Sequence, residues 1–360
     1  MQDPLRSDES APEDEHARSP LWLVSDAPAL HELVVTLRRS LVEDTAQEVR
    51  AVRLSRRGVA SAREAFGRMI LSGERALHHL AALLAGSLLS AYQLKSSVIG
   101  EVEGTNERFT LEKDVTEDEL YGTTDLDLGN RLLARLRFAD GDSWRRAHLV
   151  SNVVEYAALE PSSHAVIRIL TRIKAEEEIW NKVTDELFNL DALVLRDKKL
   201  RHLSRYVKDV FGLKVVVGSL DDVRKAQQAL AMLAFDDAAL GARGLPTTDE
   251  HRRLEFVEVK DYLARKSRKH SGWSAMKSVV RWGGRTFEIQ VQPLQNFLRE
   301  RERLTKESHA GFKATREQVR DEVAARVPLF GFARALLHWL FMDPWSAPPT
   351  HPGVEVIVED

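Results

Sequence analysis

Apolar positions early in the chain recur at helical spacing. Leu30, Leu33, Val34, Leu37 and Leu41 fall three and four residues apart, which places them on one helix face. The helical pattern holds from Leu21 to about Gly58, and a second one runs from about Ala60 to Leu94. Its centre, Leu77–Leu89, is apolar on nearly every side, as in a helix buried within a core. Residues 97–130 are less regular, with Gly100, Gly104, Gly122 and Gly129 as breakers. Leu132–Phe138 and His148–Tyr156 suit strand and helix alike. Ile167–Leu190 reads as helix and Leu213–Val217 as a short strand. Leu220–Leu233 reads as a helix opened by Ser219, with Asp221 and Asp222 in its first turn. Residues 236–253 read as loop and Phe256–Val259 as a strand edge. Helix is expected again from about Leu294 past Ala310, over Thr315–Arg326 and over Leu329–Trp339. The tail that follows carries Pro344, Pro348, Pro349 and Pro352.

The clearest local signal is a hairpin. Ser278–Trp282 and Arg285–Gln292 alternate apolar and polar residues on either side of Gly283-Gly284, a tight-turn pair. Alternation sends Phe287, Ile289 and Val291 toward a core and Glu288, Gln290 and Gln292 to the other face. That polar face suits a plain surface or a phosphate cleft that holds Mg²⁺.

Composition narrows the class. Hydrophobic residues make up 43% of the 360-residue chain and charged residues 30%, so a sizeable core is affordable and a membrane-embedded protein is not expected. No apolar run reaches the roughly 18 residues of a spanning helix. There is no cysteine, which excludes disulfides and thiolate chemistry. Residues 1–20 hold six Asp/Glu against two Arg and read as a disordered acidic tail without signal-peptide character. A cytoplasmic location is the expectation. The formal net charge is −3, yet His251–Arg285 carries ten Lys/Arg against Glu255, Glu258 and Asp261, a local surplus of +7. Such a surplus fits a polyphosphate or nucleic-acid contact or a solvated basic surface.

Several short motifs occur in order. They are Arg172-Ile-Lys174 with Ile179 and Lys182; Asp209-Val-Phe-Gly212-Leu-Lys214; Lys260-Asp261-Tyr262-Leu263; Gly272-Trp273; and Glu288-Ile289-Gln290-Val291. Over roughly Ala165–Lys313 this set resembles the synthetase domain of the RelA/SpoT family, the (p)ppGpp synthetases. Each motif is weak alone, and their order carries the likeness. The resemblance implies an α+β fold, a mixed β-sheet flanked by helices and distantly nucleotidyltransferase-like; the helical spacing ahead of it adds a mostly helical N-terminal region. The resemblance also implies transfer of pyrophosphate from ATP to the ribose 3′-hydroxyl of GDP or GTP. It assigns ATP binding to Arg172, Lys174, Lys182 and Lys214, and catalysis to Asp209, Glu288 and Gln290. Asp209 and Glu288 would hold Mg²⁺, and Lys269, Trp273 and Lys277 would meet the acceptor nucleotide, with Trp273 stacking on guanine. His309, Phe312 and Lys313 resemble a conserved run after the last strand of the family pattern.

The departures concentrate on the acceptor side. Lys214 stands for an arginine, Glu178 for a serine, Ser271 for an asparagine, Ala275 for a serine and Lys277 for a histidine. Gln292-Pro293 replaces Arg-Thr, and the basic loop Arg265–Lys269 is longer than the usual pattern. Two other readings follow: a toxin-type relative that modifies the 3′ end of tRNA through Arg265–Lys269, and a degenerate nucleotide or RNA sensor. Gly122-Thr-Thr-Asp125-Leu-Asp127 resembles a nucleotidyltransferase metal motif but also suits a helix start. His78, His79, His148 and His164 form no metal-spaced set, and no His-Asp dipeptide suggests the family's hydrolase. The expected organisation is a tail at 1–20, a mostly helical accessory region at 21–160, the synthetase-like domain at 161–328, and a helix with a Pro-rich tail at 329–360. ATP and GDP or GTP are the expected partners. No membrane contact is expected; relatives often form homo-oligomers, but no interface is readable.

Overall fold

The structure is a computed structural model. It describes residues 28–43, 49–105, 107–141, 143–173, 180, 183–184, 211–263, 274–306, 324–325 and 327–360, with the backbone alone for 42–43, 302–306 and 328. The chain divides into two compact units. Among the described residues one holds 73–173 and 211–306, and the other holds 28–72, 180, 183–184 and 324–360 apart from 326.

The second unit begins with α1 (Pro28–Arg38), which continues as a π-helical turn over Arg39–Glu43. Leu30, Leu33, Val34, Leu37 and Leu41 are all buried, as their spacing predicts. β1 (Arg50–Ser55) follows and then the long α2 (Arg56–Leu88), whose residues up to Ser72 belong here. Phe66 of α2 meets Trp180, and Trp180 stacks on Phe341 with ring centroids 3.7 Å apart.

The first unit is built on an eight-stranded sheet. Its strands are β2 (Tyr92–Val102), β3 (Arg108–Asp114), β6 (Ala147–Ala158), β7 (Val166–Ile173), β8 (Phe211–Val217), β9 (Glu255–Asp261), β10 (Met276–Trp282) and β11 (Arg285–Pro293). Between β3 and β6 lie the short helix α3 (Glu117–Tyr121), α4 (Asp125–Leu133) and the small hairpin of β4 (Phe138–Asp140) and β5 (Ser143–Arg145). The order is β3-β2-β6-β7-β8-β11-β10-β9, and β8 with β11 is the parallel pair in an otherwise antiparallel sheet. This is an α+β architecture, a mixed sheet flanked by helices. β8 is central, and both its faces are covered at one end: Leu213, Val215, Val216 and Val217 are all buried.

The hairpin signal holds. Gly283 and Gly284 have φ of 56° and 71°, a conformation that side-chain-bearing residues disfavour. α5 (Leu220–Met232) starts with a capping box: Asp222 N donates to Ser219 Oγ, and the Asp222 carboxylate accepts from Ser219 N at 3.1 Å. α5 buries Val223, Ala226 and Leu230, and Gln227 Nε2 donates to Ser278 Oγ at 2.9 Å, anchoring the helix on the apolar sheet face. The span 236–253, expected as loop, contains the single-turn α6 (Asp237–Gly241) and α7 (Asp249–Arg252). α8 (Leu294–Lys306) packs on the opposite sheet face, where Phe297 joins Leu170 and Val216. α9 (Pro328–Phe341) and β12 (Val354–Glu359) complete the chain.

Several expectations need correction. The N-terminal region is not mostly helical: after Leu88 it supplies β2, β3 and β6 to the main sheet. The expected boundary at 161 falls between β6 and β7, which are paired neighbours. Ile167–Ile173 is strand, not helix, because β6 and β8 flank it and satisfy its backbone. Arg50–Ser55 is likewise strand; it pairs in parallel with Val354–Glu359, so the Pro-rich tail ends in ordered structure. The Asp125 motif is a helix start and not a metal-bearing strand: Thr124 caps α4 and accepts from Asp127 N at 3.0 Å. The predicted helix over Thr315–Arg326 lies outside the described residues except for Ala324 and Ala325.

Candidate functional site

Register places the polar residues of the central strands on one face. Arg172 on β7 neighbours Gly212 on β8, Gly212 neighbours Glu288 on β11, and Glu288 neighbours Val279 on β10. Two residues along the strands the row reads Leu170, Lys214, Gln290, Lys277 and Lys260. Residues opposite one another across strands point to the same side. Arg172, Lys214, Lys277, Glu288 and Gln290 therefore share the face away from α5. Between Arg172 and Glu288 stands Gly212, with no side chain. A Cβ there would meet only backbone oxygens, at 3.6 and 3.8 Å. The sheet floor is bare at that point, so a ligand can approach the backbone closely.

Glu288 is the buried member, with 3% of its surface exposed. Its carboxylate accepts from the Gln290 side-chain amide and pairs with the Lys277 ammonium. A carboxylate removed from water persists only when a cation and hydrogen-bond donors replace its hydration. Lys277 is the more exposed partner, so the acid is reached from its side. Lys214 Nζ donates to Glu300 Oε2 at 2.6 Å, and Gln292 Nε2 donates to the same oxygen at 3.1 Å. Glu300, on α8, thus fixes the lysine at the margin of the face. Nothing in the sequence singled out Glu300, because its role depends on how α8 lies over the sheet.

Arg172, Lys214, Lys277, Glu288 and Gln290 are brought together. Lys174, Lys182, Asp209, Lys269 and Trp273 lie outside the described residues, as do His309, Phe312 and Lys313. The basic surplus of His251–Arg285 is partly neutralised within the fold. Arg252 pairs with Asp237 at 2.9 Å, Lys260 with Glu258 at 2.8 Å, Arg281 with Glu255 at 3.6 Å, and Lys277 with Glu288.

No protein-family model matches the chain. No curated protein matches it. Solved structures do. The small alarmone synthetase 1 from Bacillus subtilis bound to its product pppGpp is 19% identical, with 44% of this chain and 72% of that chain covered and a TM-score of 0.23. A GTP pyrophosphokinase family protein from Streptococcus pneumoniae is 19% identical, covering 50% of this chain and 73% of that one, with a TM-score of 0.26. A further structure of the B. subtilis enzyme is 15% identical over 50% of this chain and 76% of that chain, with a TM-score of 0.22. What the site can do rests on its own residues.

Proposed function

We propose that the polar sheet face transfers the β,γ-pyrophosphate of ATP to the ribose 3′-hydroxyl of GDP or GTP. The observation that carries this reading is a buried acid, Glu288, on one face with Arg172, Lys214 and Lys277. Those residues also occur in the motif order described above. In the reaction the 3′-oxygen bonds to the β-phosphorus and the bond from that phosphorus to the α,β-bridging oxygen breaks. AMP leaves with that oxygen, and the hydroxyl proton passes to Glu288. Cations at Arg172, Lys214 and Lys277 offset the phosphate charge before and during transfer. Gln290 holds the carboxylate in place through its amide.

Carboxylate oxygens are the donors that Mg²⁺ takes, so Glu288 fits the expected ion, with Asp209 its companion by the family resemblance. Bound Mg²⁺ supplies further charge neutralisation at the phosphate oxygens. By the same resemblance Lys174 and Lys182 hold the ATP phosphates and adenine, and Lys269 and Trp273 hold the acceptor.

A second reading keeps the donor and makes the tRNA 3′ end the acceptor. Lys277 in place of a histidine and the basic stretch favour it; the internal ion pairs of that stretch count against it. The Lys214–Glu300 pair, which occupies a phosphate-binding cation, favours a non-catalytic sensor. Incubation with γ-labelled ATP and GDP, GTP or tRNA separates the three. Label on guanosine nucleotide supports the first reading, and label on tRNA moves the acceptor. An RNA acceptor also brings a much steeper loss of activity with salt. No labelled acceptor, with ATP still bound, leaves the sensor alone.

A further inference from the structure

Away from this face, Glu74, His78 and Asp125 converge in the interior. They are 4%, 1% and 6% exposed. Glu74 and His78 lie one turn apart on α2, so their side chains share a face. Asp125 is the first residue of α4, fixed by the Thr124 cap. His78 Nε2 lies 2.9 Å from Asp125 Oδ1 and 4.0 Å from Glu74 Oε1. One ligand atom from each residue falls within 4.8 Å of the other two.

We propose that Glu74, His78 and Asp125 form a three-residue structural site for one Zn²⁺ ion that ties α2 to α4. Zinc bonds of about 2.0–2.2 Å in tetrahedral geometry set ligand atoms about 3.4 Å apart. The observed 2.9 and 4.0 Å separations bracket that value, so small side-chain rotations bring the three ligand atoms to it. One imidazole and two carboxylates are donors that zinc accepts and magnesium alone does not favour.

Charge supplies the second argument. Two carboxylates sit buried together, and His78 is the side chain paired with both among the described residues. The cluster thus requires added positive charge, from a proton or from a metal. His78 Nδ1 is buried with no hydrogen-bond partner, so Nε2 alone orients the ring and does so toward the two acids. The supporting layer is in place on the Asp125 side. Its carbonyl accepts from Asn152 Nδ2 at 2.8 Å, its N–H donates to Glu74, and Ser96 Oγ donates to Asn152 Oδ1 at 2.8 Å. The three side chains are 1–6% exposed, which keeps the ion from bulk solvent, and with water as its fourth ligand its assigned role is structural.

The test uses the full chain, stripped with chelator and titrated with ZnCl₂ alone. The expected results are uptake of one equivalent, a raised unfolding temperature, and zinc-edge X-ray absorption showing one imidazole with oxygen donors. Glu74→Gln and Asp125→Asn, which keep side-chain volume, should each weaken binding by at least about tenfold. No stoichiometric uptake by the unsubstituted chain would overturn the proposal and leave a carboxyl pair sharing a proton. So would two or more imidazoles around the ion, or unchanged affinity in folded Asp125→Asn. The spectrum needs no variant, so a substitution that fails to fold does not rescue the idea.

Discussion

Glu288 and Lys277 constrain each other. Losing the ammonium strands a buried carboxylate, whereas losing both charges leaves a neutral pair. Lys277→Met should therefore destabilise the chain by about 3 kcal/mol, and adding Glu288→Gln should recover much of that loss. Urea unfolding of the two single variants and the double variant measures the coupling. Additive losses would show that the pair is not a unit. At Gly212 the expectation is the reverse, a change felt in function and not in folding. Gly212→Ala has room to fold, since a Cβ there meets only backbone oxygens at 3.6 and 3.8 Å, but it begins to fill the floor between Arg172 and Glu288. Melting temperature should stay close to that of the unsubstituted chain while turnover falls. Equal turnover would place the substrate elsewhere. Alternation alone assigned Glu288 and Gln290 to one face, and the structure agrees. The Glu300 and Asp125 contacts were not legible, because each joins residues distant in sequence, 86 positions apart for Lys214–Glu300 and 47 for His78–Asp125.

Among the elements, legibility followed local chemistry. The Gly283-Gly284 hairpin and the α5 helix carry their own turn and capping residues, and both were readable. β7 was not. Val166–Ile173 alternates poorly because Leu170 and Ile169, on opposite faces, are both buried, so it passed for a helix. β2 hid, and β6 stays open between strand and helix, for a related reason: they are long strands with buried polar members, Ser96 and Glu155. Where elements meet, packing sets tight limits. Gly73 of α2 lies against Phe211 of β8, and a Cβ there would stand 2.2 Å from the ring. Gly73→Ala should cost roughly 1–3 kcal/mol or more by overpacking, read as a lower thermal midpoint. Gly86→Ala, on the same helix with nothing within 4 Å, is the control and should be neutral or slightly stabilising. Equal effects at the two glycines would contradict the packing described.

For the whole molecule, the sheet draws strands from Tyr92 to Pro293, well beyond the segment whose motifs suggested a function. Motifs report chemistry and are blind to strands that merely extend a sheet, so the N-terminal boundary was the least legible feature. Among the described residues no helix is long and apolar enough to cross a membrane. The most direct test of the central claim is AMP release from ATP in the presence of GDP and Mg²⁺, comparing the unsubstituted chain with Glu288→Gln. The account predicts AMP in step with phosphorylated guanosine product, and a loss of at least about 100-fold in the variant with ATP binding largely retained. Undiminished AMP release by Glu288→Gln would contradict it.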